Sequence, residues 1–342
     1  MYLYDAWYVA AWDYELNDKP LGRTLLGLPL VLYRAADGRA VALEDRCCHR
    51  RAPLSLGSVV GNDLQCNYHG LTFDPSGACV RVPSQSTVPP GARVRAYPVV
   101  ERNRWVWVWM GNPAAADPEQ IPDLFWHDSP QWRMVYDRFH VKANYQNLID
   151  IQLDQTHSRY VHPTTLGNAG ALATSPKVKR NPRTVECERL MPNADAPPIW
   201  AKLGGFKGSV DHWIKWVYYA PGAIAFDVGV YDVGTGAFEG NLTHGISVRN
   251  SHACTPETAT TTHHFWVASR NFKLDDDAIH GAISGIRNTF LEDVAIVEAT
   301  ERRIADDPSA PTIDVNADNP TIQARRLVAR LIEEAAASRA AE

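Results

Sequence analysis

Short apolar runs separated by turn residues dominate the first third of the chain. Leu30-Val31-Leu32-Tyr33 precedes an Asp37-Gly38 turn, Ala40-Val41-Ala42-Leu43 follows it, and Trp105-Val106-Trp107-Val108-Trp109 closes the stretch. Brief runs rich in branched and aromatic side chains, bounded by Gly, Pro, Asn or Asp, read as strands. Residues 25–109 are therefore expected to form a small all-β module. The Pro/Ala/Asp stretch Asn112–Pro118 reads as a boundary, giving a first domain over 1–115 and a second over 116–342. The second domain has a mixed pattern. A helical segment runs over 145–160, and Gly-, Thr- and Pro-rich loops cover 163–183 and 191–208. Strand-like runs lie at 213–219 and 243–248. A hairpin turns at Thr255-Pro256-Glu257-Thr258 and returns through 262–269, and two helices over 278–303 and 320–337 close the chain. The expected fold class is α+β, an antiparallel sheet with packed helices in the second domain.

The 342 residues suit two domains of roughly 100–200 residues each. A formal net charge of −5 argues against nucleic acid or an anionic membrane as the main partner. The start, Met1-Tyr2-Leu3-Tyr4-Asp5, lacks the basic and apolar regions of a signal peptide. No apolar run approaches the ~18–20 residues of a membrane span, so a cytoplasmic location is expected. Six cysteines in such a chain point to metal or redox chemistry rather than disulfides. The aromatic residues, 11 Trp among them, permit an aromatic-lined pocket.

Four of the candidate ligands come in two mixed pairs, Cys47-Cys48-His49 and Cys66-Asn67-Tyr68-His69. Each pair offers one thiolate and one imidazole. A Rieske [2Fe–2S] centre needs this mixture, because two Cys bind one iron and two His replace Cys on the other. Gly57, Gly61, Gly70 and Pro53 suit tight loops around such a cluster. The alternative is a Cys₂His₂ zinc site, although zinc fingers usually present their cysteines as one pair and their histidines as another. Cys79, Cys187 and Cys254 have no mixed partner and read as packing residues.

A second constellation is Asp154, His157 and His162. Asp154 and His157, three apart, share a helical face. His157 and His162 are about 140° apart on a regular helix, so they reach one metal only if the helix ends or distorts between them. Pro163 supplies a reason, since the residue before proline is pushed out of the α region. Two His plus one carboxylate with open positions is the facial triad of non-haem Fe(II) oxygenases. Downstream, Ile286, Phe290, Asp293 and Val297 form one helical stripe. Asp293 is thus an acid on an apolar face, where a lone charge is costly, and Glu292 lies off the stripe. A buried salt bridge from Asp293 to Arg287 or Arg270 is the competing reading.

On these motifs the chain resembles the Rieske non-haem iron oxygenases. The match runs through Cys47–Leu54 and Cys66–Phe73, then Asp154, His157 and His162, and the late pair Glu292-Asp293. Arg23–Gly27, Thr255–Thr258 and Ser269–Phe272 bring it nearest the vanillate O-demethylase and dicamba monooxygenase group. Cys48 departs from the common Pro, and Asp150-Ile151-Gln152-Leu153-Asp154 departs from the usual segment beside the iron. The resemblance implies a Rieske domain followed by a helix-grip-like catalytic domain, with Cys47, His49, Cys66 and His69 on the cluster and His157, His162 and Asp293 on the mononuclear iron. It also implies a homotrimer in which Asp154 bridges His157 to His69 of a neighbouring subunit. NAD(P)H electrons would enter through a separate flavin and iron–sulfur reductase, in keeping with the lack of a Gly-x-Gly-x-x-Gly fingerprint. The implied reaction is hydroxylation or O-demethylation of an aromatic compound by O₂, a vanillate-like methoxybenzoate being favoured. Ring dioxygenation and N-demethylation use the same metals, and an electron carrier or a zinc-stabilised binding module would be other classes. Asn241, His244 and His252 are candidate substrate anchors because they lie on the strands leading to the Thr255-Pro256 turn, with ordinary strand polar residues facing solvent as the competing reading. The loop 163–183 is a candidate lid, and its Lys177-Val178-Lys179-Arg180 run either docks the reductase or is a solvated charge run.

Overall fold

The computed structural model describes residues 1–341 and comprises two compact units. The first takes in Met1–Asp123 together with Thr255–Ala259, and the second Leu124–Cys254 with the chain from Thr260 onward.

The first unit is built from short strands: β1 (Ala6–Trp12), β2 (Leu21–Leu25), β3 (Leu28–Arg34), β4 (Ala40–Glu44), β5 (Ser58–Val60), β6 (Asp63–Gln65), β7 (Thr72–Phe73), β8 (Cys79–Arg81), β9 (Ala96–Tyr97), β10 (Val99–Arg102) and β11 (Trp105–Met110). They form three small sheets in the orders β1-β11-β10, β2-β3-β4-β9 and β5-β6-β7-β8. The tryptophan-rich β11 pairs antiparallel with β1, both wholly buried. Trp7 meets Trp109, and Trp12 meets Trp105, edge to face with ring centroids 5.4 and 5.8 Å apart, a favoured arrangement of aromatic pairs. Trp7 Nε1 donates to the carbonyl of Asp117 at 2.8 Å, tying the Pro/Ala/Asp stretch to this core. The 255–259 tip is held by N–H donation from Leu26 and Gly27 to the carbonyls of Pro256 and Glu257.

Gly77 shows how tightly this unit is drawn. Its φ is +80°, and a Cβ there would stand 2.2 Å from the carbonyl oxygen of Val94, whose amide donates to the Gly77 carbonyl at 2.8 Å. Gly61 is also left-handed, φ +64°, but faces open space. Gly77→Ala is expected to destabilise the unit by about 2–4 kcal/mol, from left-handed strain plus a sub-van-der-Waals contact, and Gly61→Ala by about 1 kcal/mol from strain alone. Urea titrations of the two variants check this; equal shifts would contradict the close-approach argument.

In the second unit β12 (Arg133–Val141), β13 (Lys177–Arg180), β14 (Thr184–Ala194), β15 (Val210–Tyr219), β16 (Ala223–Asp232), β17 (Gly245–Pro256) and β18 (Thr262–Arg270) form one sheet in the order β12-β18-β17-β16-β15-β14-β13. Its paired strands run antiparallel. The helices are α1 (Tyr145–Leu153), α2 (Ser158–Val161), α3 (Gly170–Ala173), α4 (Pro198–Gly204), α5 (Asp277–Ser284), α6 (Ile286–Asp306) and α7 (Asn319–Ala341). Several expectations are corrected. The basic run Lys177–Arg180 is an edge strand rather than part of a loop, with Lys179 paired to Glu186. The 191–208 stretch contains the end of β14 and α4, which stops at Gly205 in the left-handed region. The helix expected over 278–303 divides into α5 and α6 at Gly285. Among the described residues no helix is long and apolar enough to cross a membrane.

The sheet's register builds a cavity wall. His212 pairs with Val230, Ile214 with Val228 and Trp216 with Phe226; Phe226 in turn pairs with Asn250, and Ile224 with His252. Because side chains alternate with period two, His212, Ile214, Phe226, Val228, Asn250 and His252 share one face.

Candidate active site

In the first unit the two Cys/His pairs sit on loops with one backbone design. The Cys47 N–H donates to the Ala52 carbonyl and the Cys47 carbonyl accepts from Arg51 N–H; the Cys66 N–H donates to the Leu71 carbonyl and the Cys66 carbonyl accepts from Gly70 N–H. Each loop turns through a left-handed residue, Arg51 at φ 61° and Gly70 at φ 75°. Cys47 and Cys66 are buried in a core with Val31, Leu43, Leu54 and Phe73. His49 and His69 are exposed, with ring centroids 4.5 Å apart. Burial pushes the Cys47 thiol up to about 11, a backbone N–H at His49 opposes this, and the neighbouring Cys66 pushes it further. Two close buried thiols ionise together only beside positive charge, which an iron–sulfur cluster supplies, so the donor set fits the group. Cys48 is exposed and lines a groove with His49 and His69, whereas Cys79, Cys187 and Cys254 are buried.

The second site begins at the end of α1. Asp154 caps that helix with extended backbone, and its carboxylate accepts from Thr156 N–H at 2.8 Å and Thr156 Oγ at 2.7 Å. This turn, rather than a distortion at Pro163, is the main break between the helices. His157 follows it, and its Nδ1–H donates to the Asp154 carbonyl. The chain resumes one helical turn, α2, and His162 leaves it at φ −119°, ψ 49°, outside the α region that a following proline disfavours. His162 Nδ1–H donates to Glu292 Oε2 at 2.7 Å. Both imidazoles therefore present Nε2 inward, with orientation fixed by the Nδ1 bond.

Asp293 arrives from α6 on a buried stripe with Ile286, Phe290 and Val297. Its Oδ1 lies 2.9 Å from His162 Nε2 and 3.3 Å from His157 Nε2, yet neither contact is aligned as a hydrogen bond and Oδ1 is a buried acceptor without a partner. Gln152 Nε2 donates to the other oxygen at 3.5 Å. Among the described residues these are the three donors brought within 4.8 Å of one another as a possible metal group. Two nitrogens and one carboxylate oxygen aimed at a common point fit a mononuclear iron. Burial pushes the Asp293 carboxyl up, but His157 and His162 more than offset this and hold it well below the usual range. Burial lowers His162, and Asp293 and Glu292 more than reverse it. The salt-bridge alternative fails: Arg287 pairs with Asp137, and Arg270 spends its guanidinium on the carbonyls of Phe272, Lys273 and Asp276.

The triad opens onto a cavity of about 70 Å³, lined among others by Gln152, Leu166, Asn168, Trp200, Phe226 and Phe290. Among its described lining residues there is no Lys or Arg. Of the three expected anchors only His252 lines it. His252 Nδ1 lies 2.9 Å from His264 Nε2 and its ring meets Phe290 edge to face. Asn241 and His244 are corrected. β17 starts at Gly245, so both belong to an exposed turn, where Asn241 donates to the Thr235 carbonyl at 2.7 Å. The sequence reading missed Glu292 and Gln152 as supports of the triad, and Asn168 and His212 in the cavity. Alternation along 213–219 gave a signal for His212, placing it in phase with Ile214, but not which face the sheet would bury.

Comparison with known proteins agrees with this geometry. Residues 6–98 match the Rieske [2Fe–2S] domain, and residues 141–334 match the vanillate O-demethylase oxygenase C-terminal domain. The chain is 43% identical to the toluene-4-sulfonate monooxygenase system iron–sulfur subunit of Comamonas testosteroni, over 97% of this chain and 98% of that protein. It is 39% identical to the dicamba O-demethylase oxygenase component of Stenotrophomonas maltophilia over 88% of each. The crystal structure of dicamba monooxygenase bound to dicamba superposes with a TM-score of 0.89 at 36% identity, covering 98% of this chain and 99% of that one. The chain belongs to the Rieske non-haem iron oxygenases, as the terminal oxygenase component, carrying a [2Fe–2S] cluster and a mononuclear iron, of a system that needs a separate reductase.

Proposed function

We propose that this oxygenase hydroxylates a methyl or methoxy carbon of a substituted aromatic acid. The observation that carries the reading is a His157/His162/Asp293 group, its Asp293 buried with an unpartnered carboxylate oxygen, at the wall of a cavity where Trp200, Phe226 and Phe290 sit beside amide and imidazole side chains. We assign Cys47 and Cys66 to one iron of the cluster, His49 and His69 to the other, and His157, His162 and Asp293 to the mononuclear iron. When bound, the cluster delivers single electrons and the iron is where dioxygen is reduced.

The chain's own residues do the rest. Asp154 and Glu292 fix the two imidazoles, and Gln152 holds the outer oxygen of Asp293 so that Oδ1 faces inward. Trp200, Phe226, Val228 and Phe290 hold an aromatic ring and exclude water, and His252 offers a polar contact. The reaction consumes one O₂, two electrons and two protons, converting a C–H to C–OH and releasing one water. At a methoxy group the resulting hemiacetal breaks its O–CH₂ bond to give a phenol and formaldehyde. The electrons come from NAD(P)H through a flavin and iron–sulfur reductase. We further propose a cytoplasmic homotrimer in which Asp154 meets His69 of a neighbouring subunit; sedimentation at the mass of one chain would count against it.

The test supplies the holoenzyme with such a reductase, NADH and O₂, using vanillate, 4-methoxybenzoate and toluene-4-sulfonate, the last taken from a relative's name. Expected products are formaldehyde with a phenol from the ethers and a hydroxymethyl compound from the sulfonate. A cis-dihydrodiol would replace this reading with ring dioxygenation, and NADH oxidation without any oxygenated product would remove these substrates.

A further inference from the structure

One wall of the cavity carries a polar group that the proposed metal chemistry does not use. His212, on β15, is 1% exposed and lines the cavity. Its Nδ1 lies 2.7 Å from Asn168 Nδ2. Asn168 has no freedom to reverse this contact, because its Oδ1 already accepts from Gly170 N–H at 2.7 Å. The amide therefore donates and Nδ1 accepts, which places the ring proton on Nε2. That Nε2–H is buried and without a partner. Burial holds the ring neutral, with its pKa lowered to about 3. Asn250, on β17 and on the same face, also brings an amide to the cavity, and its Oδ1 is likewise unpartnered.

A buried donor without an acceptor marks a place where a ligand completes the bonding. Taking the monooxygenase reading above as its basis, we propose that His212, set by Asn168 as a neutral Nε2–H donor, orients the substrate by binding an oxygen of an anionic oxo group, carboxylate or sulfonate, on the aromatic ring. Such an oxygen only accepts hydrogen bonds, and a bond to a charged acceptor is stronger than a neutral one. Ile214, Phe226 and Val228, beside His212 on the sheet face, cover the ring itself. His212 is a positioning residue; it moves no proton in the reaction.

The experiment compares the parent holoenzyme with His212→Phe, which removes the donor, and His212→Asn, which keeps an N–H. Calorimetric titration with toluene-4-sulfonate, 4-methylbenzoate and neutral 4-methylanisole reads binding apart from turnover. His212→Phe should weaken one or both anions about 10–100-fold, with 4-methylanisole changed less than about threefold, and His212→Asn should recover most of the loss. Loss for the sulfonate alone, or for the carboxylate alone, identifies which oxo group the site takes. Unchanged anion binding, or an equal loss for the neutral compound, overturns the assignment, as does a parent that binds neither anion. Turnover separates the two readings: a parent that oxidises 4-methylanisole keeps the monooxygenase reading even if His212 proves irrelevant. Failure to oxidise any of the three compounds counts against that reading, while the binding data still decide the role of His212.

Discussion

Asp293→Ala is expected to remove one iron per chain and leave the cluster in place. Iron should fall from about three to about two per chain with acid-labile sulfide constant at about two, and turnover should fall by about a thousandfold or more. The reason is positional. Asp293 gives the only carboxylate oxygen among the three grouped donors, and two imidazoles alone leave a divalent ion without charge compensation. Alanine favours helix, so α6 should keep its Ile286, Phe290 and Val297 contacts, and circular dichroism should be unchanged. Glu292→Gln makes a graded comparison. It keeps an oxygen to accept from His162 Nδ1 but drops the charge, and loss of such support costs roughly 10–100-fold in metal affinity. Full iron in Asp293→Ala would show that the carboxylate is not a ligand.

The second large effect is expected from Cys66→Ser. Sulfide should fall from about two per chain to near zero, with loss of the visible absorption and of reductase-driven turnover, because serine does not replace a cluster thiolate at neutral pH. Cys79→Ser and Cys48→Ser are the controls. Cys79 packs in the core and Cys48 is exposed at the groove, so both should retain about two sulfides. Zinc without sulfide in the parent would return the four residues to the alternative of a zinc site.

The candidate metal sites were legible because their proposed ligands lie close together in sequence or on a clear helical stripe. Cys47/His49 and Cys66/His69 are local pairs, and the 3.6-residue period placed Asp293 on a buried face before its partners were visible. Glu292 was missed for the same reason that Asp293 was found. It falls off the apolar stripe, and the stripe says nothing of a histidine 130 residues away that reaches its carboxylate. The helix break was expected at Pro163, yet a side-chain cap by Asp154 on Thr156 ends α1 earlier, since short polar side chains compete locally for backbone groups. Strands β12, β14 and β16 were not assigned. In β14 Glu186, Glu188 and Leu190 alternate with buried Val185, Cys187, Arg189 and Met191, so burial follows the sheet rather than composition. Asn241 and His244 failed as anchors because strand limits are weakly encoded, and a start at Gly245 leaves them in solvent.

The candidate triad joins helical segments of very different length. Asp293 stands within the first half of the 21-residue α6, whereas the histidines flank a four-residue helix between two backbone breaks. A metal bound there acts as a staple across a long loop of sequence. Whatever binds only the folded form shifts the folding balance toward it, so iron supply contributes to the lifetime of the polypeptide as well as to its turnover.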